Sequence, residues 1–529
     1  MAKNSSRFSL ENTDVLIVGY GPVGAAVAAL LGRYGVRTTV IDKGQDILMM
    51  PRAIALDNEA LRILQMAGLD DQSFERIGIQ QVRMHSPYMG QFGRVNTSGT
   101  IDGHPKLVTF YQPDLEKALR DKVAQHPCVN ILYRCELVDL QQFPDRIEAI
   151  TRNVDGKEQR ISARFVVGAD GANSRVREII GQSFEGQTYA EDWLIVDANQ
   201  REKKAIDHVE FLCDPKRPTP HMLAPGGRER WEFMLLPGET REQMEKPEKL
   251  AELLSPWIKP DELTIERQAV YRFHARCCDR FQKGRIFLVG DAAHITPPFV
   301  GQGLVAGLRD AANLCWKLSS VVSGRSHDRI LDSYDQERRP HAREMIDLAK
   351  LMGKLVMPST TTKAVAVHGL MRLLRMVPPV RTFFEELKVK PANRFKNGLF
   401  VPGRSAVGLQ RGGQFPQDLV RSPSGICLSD DVLGDQLTLV GIGVDPAAVL
   451  DVAALAQWEA AGAQVLHLGM RGQTGNGTTR FAEIMGNNLV LKAPQGWLAV
   501  VRPDRVVMHD GPPQSADTLV GDSLRVLSK

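Results

Sequence analysis

The stretch from Asp14 to Asp42 constrains the fold of this chain more than any other. "DVLIVG" (Asp14 to Gly19) is a short, continuous apolar run rich in β-branched residues, the pattern of a strand buried in a parallel sheet. It runs into Gly19-Tyr20-Gly21-Pro22-Val23-Gly24, a G-x-G-x-x-G turn. A helical stretch follows with Val23, Val27, Leu30 and Leu31 on one face, and "RTTVID" reads as a second strand ending in Asp42. The first glycine permits a tight turn, the second lets the backbone approach a pyrophosphate, and the third lets helix and strand pack closely. The helix start faces the phosphates with free N–H groups and its positive dipole end. Asp42, followed by Lys43, stands where a ribose hydroxyl would be bound. This is a dinucleotide-binding βαβ unit. It serves NAD and FAD alike.

The whole chain is too long for one core: 529 residues predict two to four domains. Lys and Arg number 66 against 62 Asp and Glu, a balance of +4 that argues against nucleic acid or an anionic membrane as partner. The polar N-terminus lacks the apolar core of a signal peptide, and no apolar run reaches about 18 residues. These features predict a cytoplasmic protein. Seven cysteines without CxxC spacing read as reduced thiols. Cys277 and Cys278 lie near His274, but no second ligand pair accompanies them, so no metal site is expected.

Two later segments repeat the grammar of strand, glycine and acid. "ARFVVGADGANSRVRE" ends a strand in Gly168, Asp170 and Gly171, and "GRIFLVGDAAH" delivers Gly290 and Asp291 to a turn. Each places a carboxylate at the edge where parallel sheets bind ligands. The second is followed by Pro297-Pro298 and a glycine-rich loop (Gly301, Gly303, Leu304), then a helix with Leu304, Leu308, Ala311, Cys315, Leu318 and Val322 on one stripe.

In order and spacing these three segments resemble the class A flavoprotein aromatic hydroxylases over about the first 350 residues. "PRAIALDNEALRILQMAGL" and "YQPDLEKALR" add to the likeness. The resemblance implies a Rossmann-like α/β FAD-binding domain, an inserted mixed β-sheet substrate domain and a thioredoxin-like C-terminal domain. It implies FAD as cofactor, NADH or NADPH and O2 as co-substrates, and a small aromatic substrate. Gly19, Gly21, Pro22, Gly24, Asp42 and Lys43 would hold the ADP part of FAD, with Arg52 and Gln112 also touching the cofactor. Asp170 and Gly171 would lie near the pyrophosphate and the NAD(P)H path. Gly290 and Asp291 would reach the ribityl chain, and Pro298, Gly301, Gly303 and Leu304 the flavin ring.

The segments then divide as residues 1–180 and 281–395 for FAD, 181–280 for the substrate sheet, and 400–529 for the C-terminal domain. Only Cys427 is available in that last domain, which favours a structural or homodimer-forming role over redox activity. Four groups are candidates to partner a phenol: His221, Tyr271, His274 and the Pro297 or Pro298 carbonyl. Alternation in "VYRFHAR" puts Tyr271 and Phe273 on one face and Arg272, His274 and Arg276 on the other. Trp231, Phe233 and Leu235 share a face that suits either core or ring binding. The resemblance implies a phenol with a short carboxylated side chain, hydroxylated ortho to its hydroxyl, and Arg228, Arg230 or Arg272 could take the carboxylate. Two alternatives stay open on sequence alone, an NAD-dependent dehydrogenase and a flavoprotein without turnover, as does another phenolic or heteroaromatic substrate.

Overall fold

The computed structural model describes residues 10–200, 206–258, 263–386 and 389–528; the polar leader before Leu10 lies outside them. The first strand, Leu10–Val18, runs parallel to Thr38–Asp42 on one side and to Glu158–Gly168 on the other. Val129–Tyr133 extends the parallel set beyond Thr38–Asp42, and Ile286–Leu288 pairs parallel with the end of Glu158–Gly168. An antiparallel hairpin, Glu136–Gln142 and Ile147–Arg152, completes the other flank. Val15, Leu16 and Ile17 are fully buried because helices cover both faces of this sheet. The helix Pro22–Arg33 lies between strand and interior with Gly24 to Gly32 buried, and it packs against the long helix Gly303–Val322. All ligand-facing turns therefore open at one edge, where the parallel strands end.

A second sheet of eight strands stands over that edge. Its centre is the long pair Phe184–Gln200 and Leu263–Cys278, followed by Arg228–Met234, Thr219–Ala224 and Val209–Leu212. It does not come from residues 181–280 alone. The hairpin of Gln81–Ser86 and Gly90–Asn96 adds the last two strands, and His294–Ile295 caps the other side. The sequence pattern missed this because Val209–Leu212 pairs with Gln81–Ser86 across more than a hundred residues, which no local signal records. One face of the sheet packs Leu194, Val196, Trp231 and Phe233 against the helix Pro247–Leu254. The other face, bearing Trp193, Ile195 and Phe273, looks toward the glycine-rich loop.

The C-terminal part forms a third sheet. Thr438–Ile442, Gln464–Gly469 and Arg480–Ile484 are parallel, and Leu498–Val501 with Val507–Gly511 form an antiparallel hairpin beside them. Helices Val452–Ala460 and Ala516–Ser528 pack on it through Trp458, Leu519 and Val520. Buried charges join it to the rest: Arg502 donates to both oxygens of Glu337 at 2.7 and 2.9 Å, and Arg62 to both of Asp430 at 2.7 and 2.8 Å. No helix among the described residues is long and apolar enough to cross a membrane.

Candidate active site

The three glycines of the first turn have different physical causes. Gly19 has φ +101°, and a Cβ there would lie 2.5 Å from the Ala169 carbonyl oxygen. A Cβ on Gly24 would lie 2.0 Å from the Gly19 oxygen. The chain's own packing demands both. A Cβ on Gly21 meets nothing within 4 Å. A glycine there leaves the approach to the turn open to a ligand. Gly21 caps the helix Pro22–Arg33 without a side-chain hydrogen bond, so the first N–H groups are free. An open cradle at an uncapped helix start fits the pyrophosphate of FAD. Asp42 braces the turn: its Oδ2 accepts from the Tyr20 N–H and its Oδ1 from the Gly44 N–H, both at 2.6 Å. Each oxygen keeps a lone pair for a ribose hydroxyl. Lys43 is exposed beside it.

Asp170 and Asp291, so alike in sequence, are used differently. Asp170 accepts from the Ser174 hydroxyl at 2.5 Å and the Val176 N–H at 3.0 Å, closing the start of the short helix Arg175–Ile179 beside Gly171. That carboxylate shapes its turn. Asp291 has one partner among the described residues, Arg52 at 3.9 Å, and its side chain keeps 38% exposure. The surrounding protein raises its carboxyl, against the pull of Arg52 and His294. It is the acid left free at the sheet's edge.

What frees Asp291 is Asp310, a residue the sequence reading passed over. Asp310 lies on the helix Gly303–Val322, fully buried. Its Oδ2 accepts from the Gly290 N–H at 3.0 Å and from His294 Nε2 at 2.7 Å, and its Oδ1 from Arg338 Nε at 2.9 Å. Burial alone would raise this carboxyl; His294 and Arg338 hold it below the usual range. Gly290 adopts φ +58°, and a Cβ on Gly307 would meet Val23 at 2.6 Å, so turn, helix and first helix pack closely.

The segment Pro51–Ala53 is fixed from both sides. Gln112 Oε1 accepts from the Arg52 and Ala53 N–H groups, both at 2.9 Å, so this side chain sets backbone. Arg230 donates to the Pro51 and Arg52 carbonyls, and Arg267 to that of Pro51. Arg230 and Arg267 both pair with Asp197. In the loop after Pro297, Pro298–Val300 forms one tight turn and Gly301 adopts φ +62°. Phe299 is buried against Trp193 and Phe273, at 6.1 and 6.0 Å between ring centres. Gln302 is tied to Asp57 and Arg309, which leaves Gly303 and the half-buried Leu304 at the loop's inner end.

Of the four phenol-partner candidates, His221 is misplaced. It lies at 1% exposure, bonded to Glu229 at 2.6 Å and stacked on Trp231, on the face covered by the helix Pro247–Leu254. Alternation turned it away from the loop. Trp231, Phe233 and Leu235 are core on that same face. Tyr271 points the other way, beside Arg52, and its oxygen accepts from Arg267 at 2.6 Å. His274 is paired with the Thr188 hydroxyl at 3.0 Å on the face opposite Tyr271. Pro297 is buried at the head of the loop. None of the three arginines is free for a carboxylate: Arg228 binds Glu266, Arg230 binds Asp197, and Arg272 binds both oxygens of Asp192.

Sheet, glycine cradle and free acid together define an α/β protein built to hold a flavin dinucleotide. Residues 12–349 match the FAD binding domain family, and residues 412–526 the HcaD C-terminal domain family. The chain belongs to the FAD binding domain family and is an FAD-dependent aromatic hydroxylase. It is 36% identical over 512 residues to 3-(3-hydroxy-phenyl)propionate/3-hydroxycinnamic acid hydroxylase 2 of Burkholderia vietnamiensis, covering 94% of this chain and 93% of that one. The hydroxylase of the same activity from Comamonas testosteroni is 34% identical, with 99% of each chain covered. In structure it resembles the flavin-dependent monooxygenase PieE, solved with FAD and substrate, at TM-score 0.80 and 21% identity over 98% of this chain and 99% of that one. Aklavinone-11 hydroxylase, solved with FAD and aklavinone, gives 0.76 and 23% over 97% and 99%.

Proposed function

We propose that this enzyme hydroxylates a phenol bearing a short carboxylated side chain, of the 3-(3-hydroxyphenyl)propionate type, beside its existing hydroxyl to give a catechol. The curated relatives at 34–36% identity, named for that activity, support the substrate class. The observation that carries the reading is the apolar cluster between the second sheet and the Pro297–Leu304 loop. Trp193, Ile195 and Phe299 are buried there, while Tyr189, Phe211, Met234, Phe273 and Met352 remain half-buried around its margin. Adaptable methionines and aromatic rings of this kind suit a flat apolar ligand.

FAD would lie with its pyrophosphate over Gly21 and Pro22, its ribose at Asp42 and Lys43, its ribityl chain at Asp291 and its ring against Pro298 to Leu304. Reduced by NADH or NADPH, FAD supplies with O2 the electrophilic oxygen atom. The chain's residues do the rest. Tyr271, whose oxygen accepts from Arg267, would offer its O–H toward the substrate. Trp193, Phe273 and Phe299 hold the ring and exclude water. Gly171, Asp170 and the Asp291 turn keep the sheet edge open to the nicotinamide. The test compares 3-(3-hydroxyphenyl)propionate with the uncharged 3-ethylphenol, following coupled NAD(P)H use and catechol. Recognition of the carboxylate predicts a kcat/KM about ten- to a hundredfold higher for the first. Equal values would remove the carboxylate from the substrate description.

A further inference from the structure

The strand register divides the loop-facing side of the second sheet into three rows of side chains. Arg267, Asp197, Arg230, Met222 and Val209 lie side by side in the first. That row is covered: Arg230 and Arg267 hold the Pro51 and Arg52 carbonyls, and Met222 and Val209 pack with Ile54. Tyr271, Trp193 and Met234 form the third row, and Trp193 lies under Phe299. The middle row is Ala269, Ile195 and Glu232. It runs between the row that holds the Pro51–Arg52 backbone and the row under Phe299.

Glu232 is out of character there. It is 7% exposed, yet among the described residues it makes no hydrogen bond and no ion pair. A carboxyl in such a place is costly unless it serves a ligand. In the next row the buried Trp193 indole N–H has no hydrogen-bond partner among the described residues. An acceptor and a donor therefore stand in neighbouring rows on the loop-facing side of the sheet. A phenol hydroxyl is the complement of such a pair: its O–H donates to the carboxylate and its oxygen accepts from the indole.

We propose that Glu232 is the base that takes the proton from the substrate's phenol, with the Trp193 N–H donating to the phenol oxygen. The phenol O–H bond breaks and a carboxyl O–H bond forms. The ring gains the electron density that an electrophilic oxygen requires, and a C–O bond forms at the ortho carbon; as aromaticity is restored that carbon's C–H proton leaves to solvent and the proton on Glu232 returns to the first oxygen. The surroundings favour the task. Burial raises the Glu232 carboxyl to about 7, and of the charged groups facing it Asp197 raises it further while Arg230 and Arg267 oppose. A base matched to neutral pH is the efficient one.

This inference rests on the phenol reading above, and the experiment separates the two. Glu232→Gln keeps the shape and removes the base, and its FAD content and circular dichroism report the fold. Turnover of 3-(3-hydroxyphenyl)propionate by the wild type tests the substrate; the ratio of wild type to Glu232→Gln tests the base. With that phenol the variant is expected to lose about a hundredfold or more in catechol formation. With a ring-fluorinated analogue acidic enough to ionise in solution, it should recover to within about tenfold, because the proton is already gone. The wild-type rate should rise with pH through about 7 for the parent phenol, and that limb should vanish for the fluorinated one. The ultraviolet difference spectrum of the bound phenol should show phenolate in the wild type and phenol in the variant. An equal deficit with both phenols, or a variant within about twofold of wild type on the parent, would overturn the assignment.

Discussion

At the scale of single residues, the glycines of the first turn make separable predictions. Gly21→Val should fold, because a side chain there meets no protein atom, yet purify without yellow colour, because it fills the phosphate approach. Gly24→Ala should damage the fold itself, since its Cβ would lie 2.0 Å from a carbonyl oxygen. Absorbance in the flavin bands beside circular dichroism distinguishes the outcomes; a fully flavinated Gly21→Val would move the cofactor elsewhere. Asp291→Ala should lose about one to two decades in FAD affinity, the worth of a charged hydrogen bond of roughly 1.5–3 kcal/mol. The apoprotein should be no less stable. A carboxyl raised by folding carries a penalty above its folded pKa that disappears as pH falls through it, so removing the acid removes the penalty. Fluorescence titration with FAD and a thermal melt of the apoprotein check the two halves.

These residues were legible in the sequence because each ends an apolar strand at a glycine, a pattern with few other uses. Their inequality was not. Asp170 and Asp291 occupy the same place in the same grammar, and only the three-dimensional surroundings show that Ser174 and Val176 occupy one while the other stands nearly free. His221 and Tyr271 were equally open for the same reason: alternation assigns faces within a strand and leaves unsaid which face meets the loop.

At the scale of elements, the helix Gly303–Val322 shows where pattern reading stops. Of the stripe Leu304, Leu308, Ala311, Cys315, Leu318 and Val322, the middle four are buried and the two end members half-buried. The opposite, polar stripe is buried too: Arg309, Asp310, Asn313 and Lys317 lie at 0–2% exposure. They are matched by Glu337, Arg338 and Asp57 from elements distant in sequence. Asp310→Ala removes the acceptor of three donors and leaves Arg338 buried and unpaired, a loss of about 3–5 kcal/mol. The melting temperature should fall far more than for Asp291→Ala. The acid sensitivity follows from the lowered Asp310 carboxyl. Its contribution is present above the unfolded carboxylate range, about 3.9, and lost as pH falls below it. A wild-type acid-unfolding curve that coincides in shape with that of Asp310→Asn would contradict this clamp.

At the scale of the whole molecule, the C-terminal sheet is fastened to the flavin domain by buried charge. Glu337 accepts from Arg502, Lys317 and Asn313, and its neighbour Arg338 holds Asp310, so the hairpin of the third sheet and the Gly290 turn are braced from adjacent residues of one helix. Glu337→Gln would leave the Arg502 and Lys317 cations buried with weaker compensation. It should cost about 3–5 kcal/mol and speed hydrogen exchange in the last hairpin ahead of the first sheet. Uniform exchange in the variant would show that the two parts unfold as one regardless of this contact. The second sheet was only half legible: its strands between 209 and 278 follow alternation, whereas the hairpin from 81 to 96 joins by a pairing of long sequence separation.

The chain is an FAD-dependent aromatic hydroxylase, and the substrate proposed for it is a carboxylated phenol. The direct test supplies the FAD-loaded protein with NAD(P)H, 3-(3-hydroxyphenyl)propionate and oxygen-18 gas, and weighs the product. The expected product is a catechol carrying one heavy oxygen atom, formed in step with nicotinamide oxidation. Nicotinamide oxidation with oxygen uptake and no catechol, or a catechol with only light oxygen, would contradict it.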